Sequence, residues 1–375
     1  MSVLLRMLLD LLLRFVRTLD LPLLGALLAL MGVGLATLYS ASNESMRVVL
    51  TQGVYFSVGL GALWVASRAP AHMLKQFTPV IYALSILPLV IVLFIGSGKY
   101  GNHWIDLGFF NLQPSELAKL TLPMMLAWYM DRQRLPPKLS SLPMALLIIA
   151  LPVGLILLQR DLGTAVLVLA AGVFVLFLSG LSWWWFGIAG AVGATGFAMA
   201  MFAPIRWFSF LRPYQQDRIL TFRNPENDPM GAGWNILQSK IAIGGGGLTG
   251  KGWTEGTQSH LDYVPEHTTD FIFAVLSEEF GWVGVTAVLA LYLFVVGRCL
   301  WIAADSRDGY ARLAVGALGM SLFVYVLVNA GMISGLLPVV GVPMPLLSYG
   351  GTAPVTLLAG FGVIMALKAR RAIHR

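Results

Sequence analysis

The chain has 375 residues, of which 57% are hydrophobic and 11% charged, less than half the charged share of an ordinary soluble domain. A water-soluble globule of this composition could not cover its own core, so the sequence describes an all-α, polytopic integral membrane protein. Its formal net charge of +7 fits Lys and Arg kept in cytoplasmic loops for topology, rather than nucleic-acid binding. The single cysteine, Cys299, excludes an internal disulfide.

Residues 1–20 read as an amphipathic helix in the cytoplasmic interface, because Arg6, Asp10, Arg14 and Arg17 recur at helical spacing among leucines. Asp10 interrupts the apolar stretch and no small-residue cleavage site precedes the first span, which argues against a secretion signal. Hydropathy places ten spans, at 21–40, 49–66, 77–96, 114–130, 142–158, 162–180, 183–203, 280–300, 312–334 and 350–368, each near the length of a bilayer crossing. The chain then divides into seven helices over 21–203, a long loop over 204–270, three helices over 271–368 and a basic tail at 369–375. An even number of spans puts both ends on one side. Lys and Arg crowd that side, and only Arg47, Lys99, Lys119 and Arg160 stand near short loops on the other. Both termini are therefore expected in the cytoplasm.

Residues with chemistry gather in a few places. After Trp104, Pro114 suits the first turn of a helix, on which Glu116 and Lys119, three apart, can pair. Lys119 then either meets a phosphate or carboxylate within the membrane or snorkels to its surface. Arg160 and Asp161 sit in a tight turn, where they either neutralise each other or face a site. The loop over 204–270 is long enough to suggest function and holds Arg212, Asp217, Arg218, Glu226 and Lys240, with a short helix expected at 233–243.

Residues 245–251 superficially match the nucleotide-binding G-x-x-x-x-G-K pattern. Gly252 stands where a magnesium-binding hydroxyl is needed, so these glycines are read as permitting close approach to a headgroup or a neighbouring helix. No histidine is paired at ligand spacing, which argues against a dedicated zinc site. A hard cation carried in with a pyrophosphate remains open.

Glu266 and Asp270 are four apart and share a face if helical. Asp270 directly precedes the apolar run 271–276, so it is either a general base facing a polar cavity or the cap of the entering helix. Of Glu278 and Glu279, one is expected to line the cavity and the other to pair structurally. The prolines and glycines of 336–352 break any helix there, and irregular backbone at that depth must line a cavity or be buried in protein. All these groups fall on the outer side.

At these residues the chain resembles the SEDS family (shape, elongation, division and sporulation proteins) of bacterial cell-wall polymerases. The matching motifs are Gln113-Pro-Ser-Glu-Leu-Ala-Lys119, Asp161-Leu-Gly-Thr164, Val264-Pro-Glu-His-Thr-Thr-Asp-Phe-Ile-Phe273 and Pro345-Leu-Leu-Ser-Tyr-Gly-Gly351. They stand in order within a likeness covering roughly residues 20–370. Gly256-Thr-Gln-Ser259 and residues 336–343 look like the elongation branch, RodA, rather than the division branch, FtsW.

The resemblance implies a peptidoglycan glycosyltransferase that polymerises lipid II outside the cytoplasmic (inner) membrane. It makes Asp270 the essential carboxylate and Glu116 with Lys119 the cavity pair. Trp104, Gln113, Glu266, Thr269, Ser348 and Tyr349 are its further cavity residues. His103, Arg160, Thr352 and Ala353 depart from the family's usual residues. In the expected single displacement, Asp270 takes the proton of the acceptor hydroxyl. Lys119, Arg212, Arg218 or a divalent cation (magnesium or manganese) offsets the pyrophosphate charge. The partners implied are lipid II, the nascent glycan strand, a class B penicillin-binding transpeptidase and other elongation-complex proteins. The rival readings are a flippase for lipid-linked precursors, which needs ionisable groups along a path through both leaflets, and a pure scaffold.

Overall fold

The computed structural model describes residues 18–97, 103–106, 108, 111–209, 211, 213–228, 231–257 and 268–369. Arg212, Glu266, nearly all of the expected interfacial helix over 1–20 and the tail beyond Ala369 lie outside the described residues. In chain order the helices are α1 (Leu21–Ala41), α2 (Met46–Ser67), α3 (Ala71–Ile95), α4 (Pro114–Asp131), α5 (Leu142–Leu158), α6 (Leu162–Leu178), α7 (Trp183–Phe202), the shorter α8 (Pro213–Arg223) and α9 (Ala232–Gly245), then α10 (Ile272–Asp305), α11 (Gly309–Ile333) and α12 (Thr352–Ala369). A two-residue hairpin, β1 (Ile105–Asp106) against β2 (Asn111–Leu112), precedes α4. Among the described residues, seven helices are long and apolar enough to cross a membrane, and α6 and α12 are shorter apolar helices. The apolar run of α4 is broken by Glu116 and Lys119, and helices fall at all ten expected spans. Within the described part of the long loop stand α8 and α9, the latter at the short helix expected over 233–243.

The punctuation is local. Asp20 accepts from the Leu23 N–H at 3.0 Å to cap α1, Asp161 caps α6 through Thr164 N–H at 2.9 Å, and Pro114 occupies the first turn of α4. α11 is central and packs on α4, α6, α10 and α12, while α2 lies along α12. Hydrocarbon provides no hydrophobic drive between helices, so close packing of small residues does that work. A side chain at Gly362 on α12 would meet the Leu63 carbonyl at 2.3 Å. α7 buries none of its residues and stands at the edge.

The end of the bundle that carries residues 18–20 and 369 is held by two ion clusters. Asp20, buried at 1% exposure, receives Arg298 through Nε (3.0 Å) and Nη2 (2.9 Å), and also Lys368. This joins α1, α10 and α12. Burial alone would push its carboxyl up, but the hydrogen bonds from Arg298 and Lys368 outweigh that and hold it below the usual carboxylate range. Lys75 of α3 bridges Asp131 of α4 (2.6 Å) and Asp308 at the start of α11 (2.9 Å).

At the other end α10 breaks at Gly281, whose φ is +59°. A broken helix leaves backbone groups that must be satisfied, and residues 247–252 satisfy them. Lys251 N–H and Gly252 N–H donate to the Glu278 and Glu279 carbonyls (3.0 and 3.1 Å), and Trp282 and Val283 N–H donate to Gly247 and Leu248 (3.0 and 3.1 Å). This is the close approach to a neighbouring helix that the glycine run was read to permit. Gly250 has φ +83°, and a Cβ there would stand 1.9 Å from the Glu279 carbonyl oxygen. Gly250→Ala is therefore expected to lower stability by at least about 1–2 kcal/mol from the left-handed backbone alone, read as a lower melting temperature together with new protease cleavage within 246–257. An unchanged melt and a protected loop would refute this seating.

Candidate functional site

The end opposite the ion clusters brings the predicted motifs together. On α4, Lys119 Nζ lies 2.6 Å from Glu116 Oε1, and Glu116 is 5% exposed. The other Glu116 oxygen accepts from Thr356 of α12 at 3.3 Å, while Lys119 stands 4.8 Å from the ring centre of Tyr325 on α11. The pair sits in the wall of an open cavity between α4, α11 and α12, about 790 Å³ with its open solvent included, which Ser348 and Tyr349 also line. Below these polar groups the walls are apolar, with Leu318, Leu322, Leu357, Phe361 and Ile364. Ile364 is about 18 Å down α12 from its outer end, so the cavity joins a charged head to a deep apolar slot.

Residues 334–351 run as a non-helical strap across the top. Ser348 Oγ donates to the Thr269 carbonyl (2.6 Å) and accepts from Met344 N–H (2.7 Å). Tyr349 N–H donates to the Thr268 carbonyl at 2.9 Å. Asn329 Nδ2 donates to the carbonyls of Asp270 (2.8 Å) and Val342 (2.7 Å). The start of α10 is thereby tied to the strap through the carbonyls of Thr268 and Thr269. Asp270 Oδ2 lies beside Gly341, 3.5 Å from where a Cβ would be. Asp270 is not in the cavity wall: Pro343, Met344 and Pro345 of the strap line it, and Asp270 stands beside the earlier strap residue Gly341. The cap position of α10 is Phe271.

The other predicted residues separate. Gln113 Nε2 donates to Asp161 Oδ2 at 3.3 Å, so Asp161 serves Gln113 and its own helix cap. Trp104 pairs its backbone with Ser97 (2.9 and 3.1 Å) and does not line the cavity, nor do Gln113 and Thr269. The division of labour expected of Glu278 and Glu279 is corrected. Glu278 holds Lys251 (2.5 Å) and Thr257 (N–H 3.0 Å, hydroxyl 3.0 Å), Glu279 holds Ser40, and neither lines the cavity. Tyr325, Thr356 and Asn329 escaped the sequence reading. Only Asn329 carried a signal, as a lone amide in an apolar run.

Arg218 on α8 lies within electrostatic reach of His103. Burial presses the His103 imidazole below its ordinary range, Asp161 draws it up and Arg218 pushes it down. Among the described residues no three of His, Cys, Asp and Glu stand together to hold a metal ion.

The family model described as the FtsW, RodA and SpoVE cell cycle protein matches residues 13–373. The chain is 45% identical over 354 residues to the peptidoglycan glycosyltransferase MrdB of Escherichia coli K12, covering 94% of each. It is 33% identical to the peptidoglycan glycosyltransferase RodA of Treponema pallidum, covering 96% of this chain and 99% of that one. Among solved structures it resembles a chain from a study of how a peptidoglycan synthase complex coordinates polymerization and crosslinking, with TM-score 0.79 and 29% identity over 94% of this chain and 98% of that one. It also resembles Thermus thermophilus RodA, with TM-score 0.69 and 27% identity over 94% and 97%.

Proposed function

The chain belongs to the FtsW/RodA/SpoVE family, and we infer that it is a peptidoglycan glycosyltransferase that polymerises lipid II into β-1,4-linked glycan strands during cell elongation and rod-shape maintenance. The observation that carries the substrate class is the cavity, a buried ion pair above an apolar slot, which matches an amphiphile with a charged head and a long hydrocarbon tail. The membrane is taken to be the cytoplasmic (inner) one. Both termini lie inside, so the cavity, the strap and Asp270 face out.

In this reading the acceptor hydroxyl loses its proton to Asp270 and attacks the donor's anomeric carbon in line. The bond to the pyrophosphate breaks, undecaprenyl pyrophosphate leaves, and the configuration inverts. One base is sufficient for a single displacement, and holding both sugars in line supplies much of the rate. Glu116 and Lys119 shape the wall that receives the substrate. A divalent cation, magnesium or manganese, would arrive with the substrate's pyrophosphate, since magnesium uses few protein carboxylates. A class B penicillin-binding transpeptidase is the proposed partner, in line with the synthase complex that the fold resembles, alongside other elongation-complex proteins.

A flippase would have to open toward the cytoplasm. The inner end is instead held by the Asp20 and Lys75 clusters, which weighs against alternating access. The test uses the full chain in vesicles, with and without its cognate transpeptidase, supplied with lipid II. Glycan polymer is the expected product. No polymer under either condition, with lipid II crossing the vesicle membrane instead, would replace this reading with the flippase.

A further inference from the structure

Asp270 stands beside the strap, and one side chain bonds to both. Asn329 lies on α11 about one turn from its outer end and is fully buried. Its Nδ2 donates to the Asp270 carbonyl (2.8 Å) and to the Val342 carbonyl (2.7 Å). A single amide group therefore joins the residue before α10 to the strap at 342. The Asp270 carboxyl lies against the neighbouring strap residue, with Oδ2 3.5 Å from where a Cβ on Gly341 would be. Gly341 has φ +71°, so a side chain there would be strained as well as touching the carboxyl. From another side, Gly163 in the first turn of α6 stops the strap. A Cβ on Gly163 would stand 2.5 Å from the Val340 carbonyl oxygen and 2.8 Å from Val342 Cγ2. Val342 also packs with Leu167 of α6 and Val328 of α11, so α6 and α11 grip the strap where the carboxyl meets it.

Stability alone does not account for an amide at this place. Residues 326–333 are otherwise apolar, and Oδ1 of Asn329 is shut off from solvent with no hydrogen bond from any described residue. A buried acceptor left so is destabilising, and an orphan of this kind calls for an explanation in function or strain. What the asparagine supplies is its two donations. One ends at Asp270 and the other at the strap beside it.

We propose that Asn329 is a positioning residue for the reaction: by tying the Asp270 backbone to the strap it holds the carboxyl where the acceptor hydroxyl arrives, and Gly163 keeps the strap in place for it. The role rests on the polymerase reading with Asp270 as base; the tie itself rests on the two distances. Asn329 touches no substrate and moves no proton. Proton transfer needs the base within hydrogen-bond reach, and a displacement of about 1 Å can cost about 100-fold in rate. Tyr325, four residues earlier and on the same face of α11, lines the cavity. One helix thus fixes the base relative to the cavity wall.

The full chain in vesicles, with its cognate transpeptidase, would be assayed on radiolabelled lipid II over a range of concentrations. Asn329→Leu keeps the branching of the side chain and removes both donors. It is expected to lower kcat by about 10–100-fold with KM changed by less than about twofold. Gly163→Ala should likewise lower kcat more than KM, although alanine is the better helix former. In an Asp270→Asn background, Asn329→Leu should cost less than about twofold more, because residues that act as a unit do not multiply their effects. The lost donors also lower the melting temperature, so rates are taken per folded molecule, well below every melt. Amide exchange reads the tie without substrate. Asn329→Leu should speed exchange at Met344 and Tyr349, whose N–H groups bond to Ser348 Oγ and the Thr268 carbonyl.

An asparagine that only supports the fold would lower the melt and leave the kcat of folded protein within about twofold of wild type, which would overturn the proposal. Equal proportional losses in the wild-type and Asp270→Asn backgrounds would overturn it too, as would unchanged exchange at Met344 and Tyr349. Each of these leaves the polymerase standing. No polymer from the wild type would instead remove the polymerase reading, and the positioning role with it.

Discussion

Asp270→Asn is expected to cut glycan synthesis at least about 100-fold while leaving the protein folded, with the loss in kcat and little change in KM for lipid II. One contact that holds residue 270 in place runs through its backbone, whose carbonyl accepts from Asn329 at 2.8 Å. The strap is tied by the neighbouring carbonyls of Thr268 and Thr269, and the cap position of α10 belongs to Phe271. Asparagine has the same shape and fits the same space beside Gly341, but it cannot take a proton. A melting curve and a product gel on one preparation separate the two roles. Polymer within a few-fold of wild type would place the base elsewhere.

The second large effect is expected at the buried pair on α4. Lys119→Met leaves Glu116, at 5% exposure, without its cation. Removing one partner of a buried pair costs about 3–5 kcal/mol, whereas replacing both with neutral groups is often close to neutral. The double variant Glu116→Gln/Lys119→Met should therefore melt near wild type, with Thr356 and Tyr325 still beside it. Its glycan synthesis should stay low, because the charged head of the cavity is gone. Thermal melts and polymer assays on the two single variants and the double decide this. A double variant that regains both stability and activity would make the pair purely structural.

The corrected expectation has a physical cause. Glu278 and Glu279 are acids at membrane depth, and that alone cannot distinguish a cavity wall from a fastening. The difference is made by residues 247–257, which fold back to deliver Lys251 and Thr257 to one acid, and by Ser40, which reaches the other from α1. Asp161 and Arg160 are neighbours in sequence, yet the turn sends Asp161 to its helix cap and to Gln113. Glu116 and Lys119 were legible because three residues apart on a helix is itself a statement of contact. Their partners Thr356 and Tyr325 were not, since each arrives from another helix.

What the sequence determines by itself is therefore what a single segment must settle alone. In hydrocarbon, backbone polar groups have to be satisfied internally, so each apolar run of about 20 residues declares a helix whatever its neighbours do. Proline, aspartate and glycine mark the ends. The cavity and the placement of Asp270 behind its strap are of another kind. They come from α4, α10, α11 and α12 meeting, and from a non-helical segment held by hydrogen bonds from Asn329 and Ser348. No window of sequence contains those partners together, because the packing that joins them depends on the shapes of whole helices and on small residues such as Gly362 that let them approach.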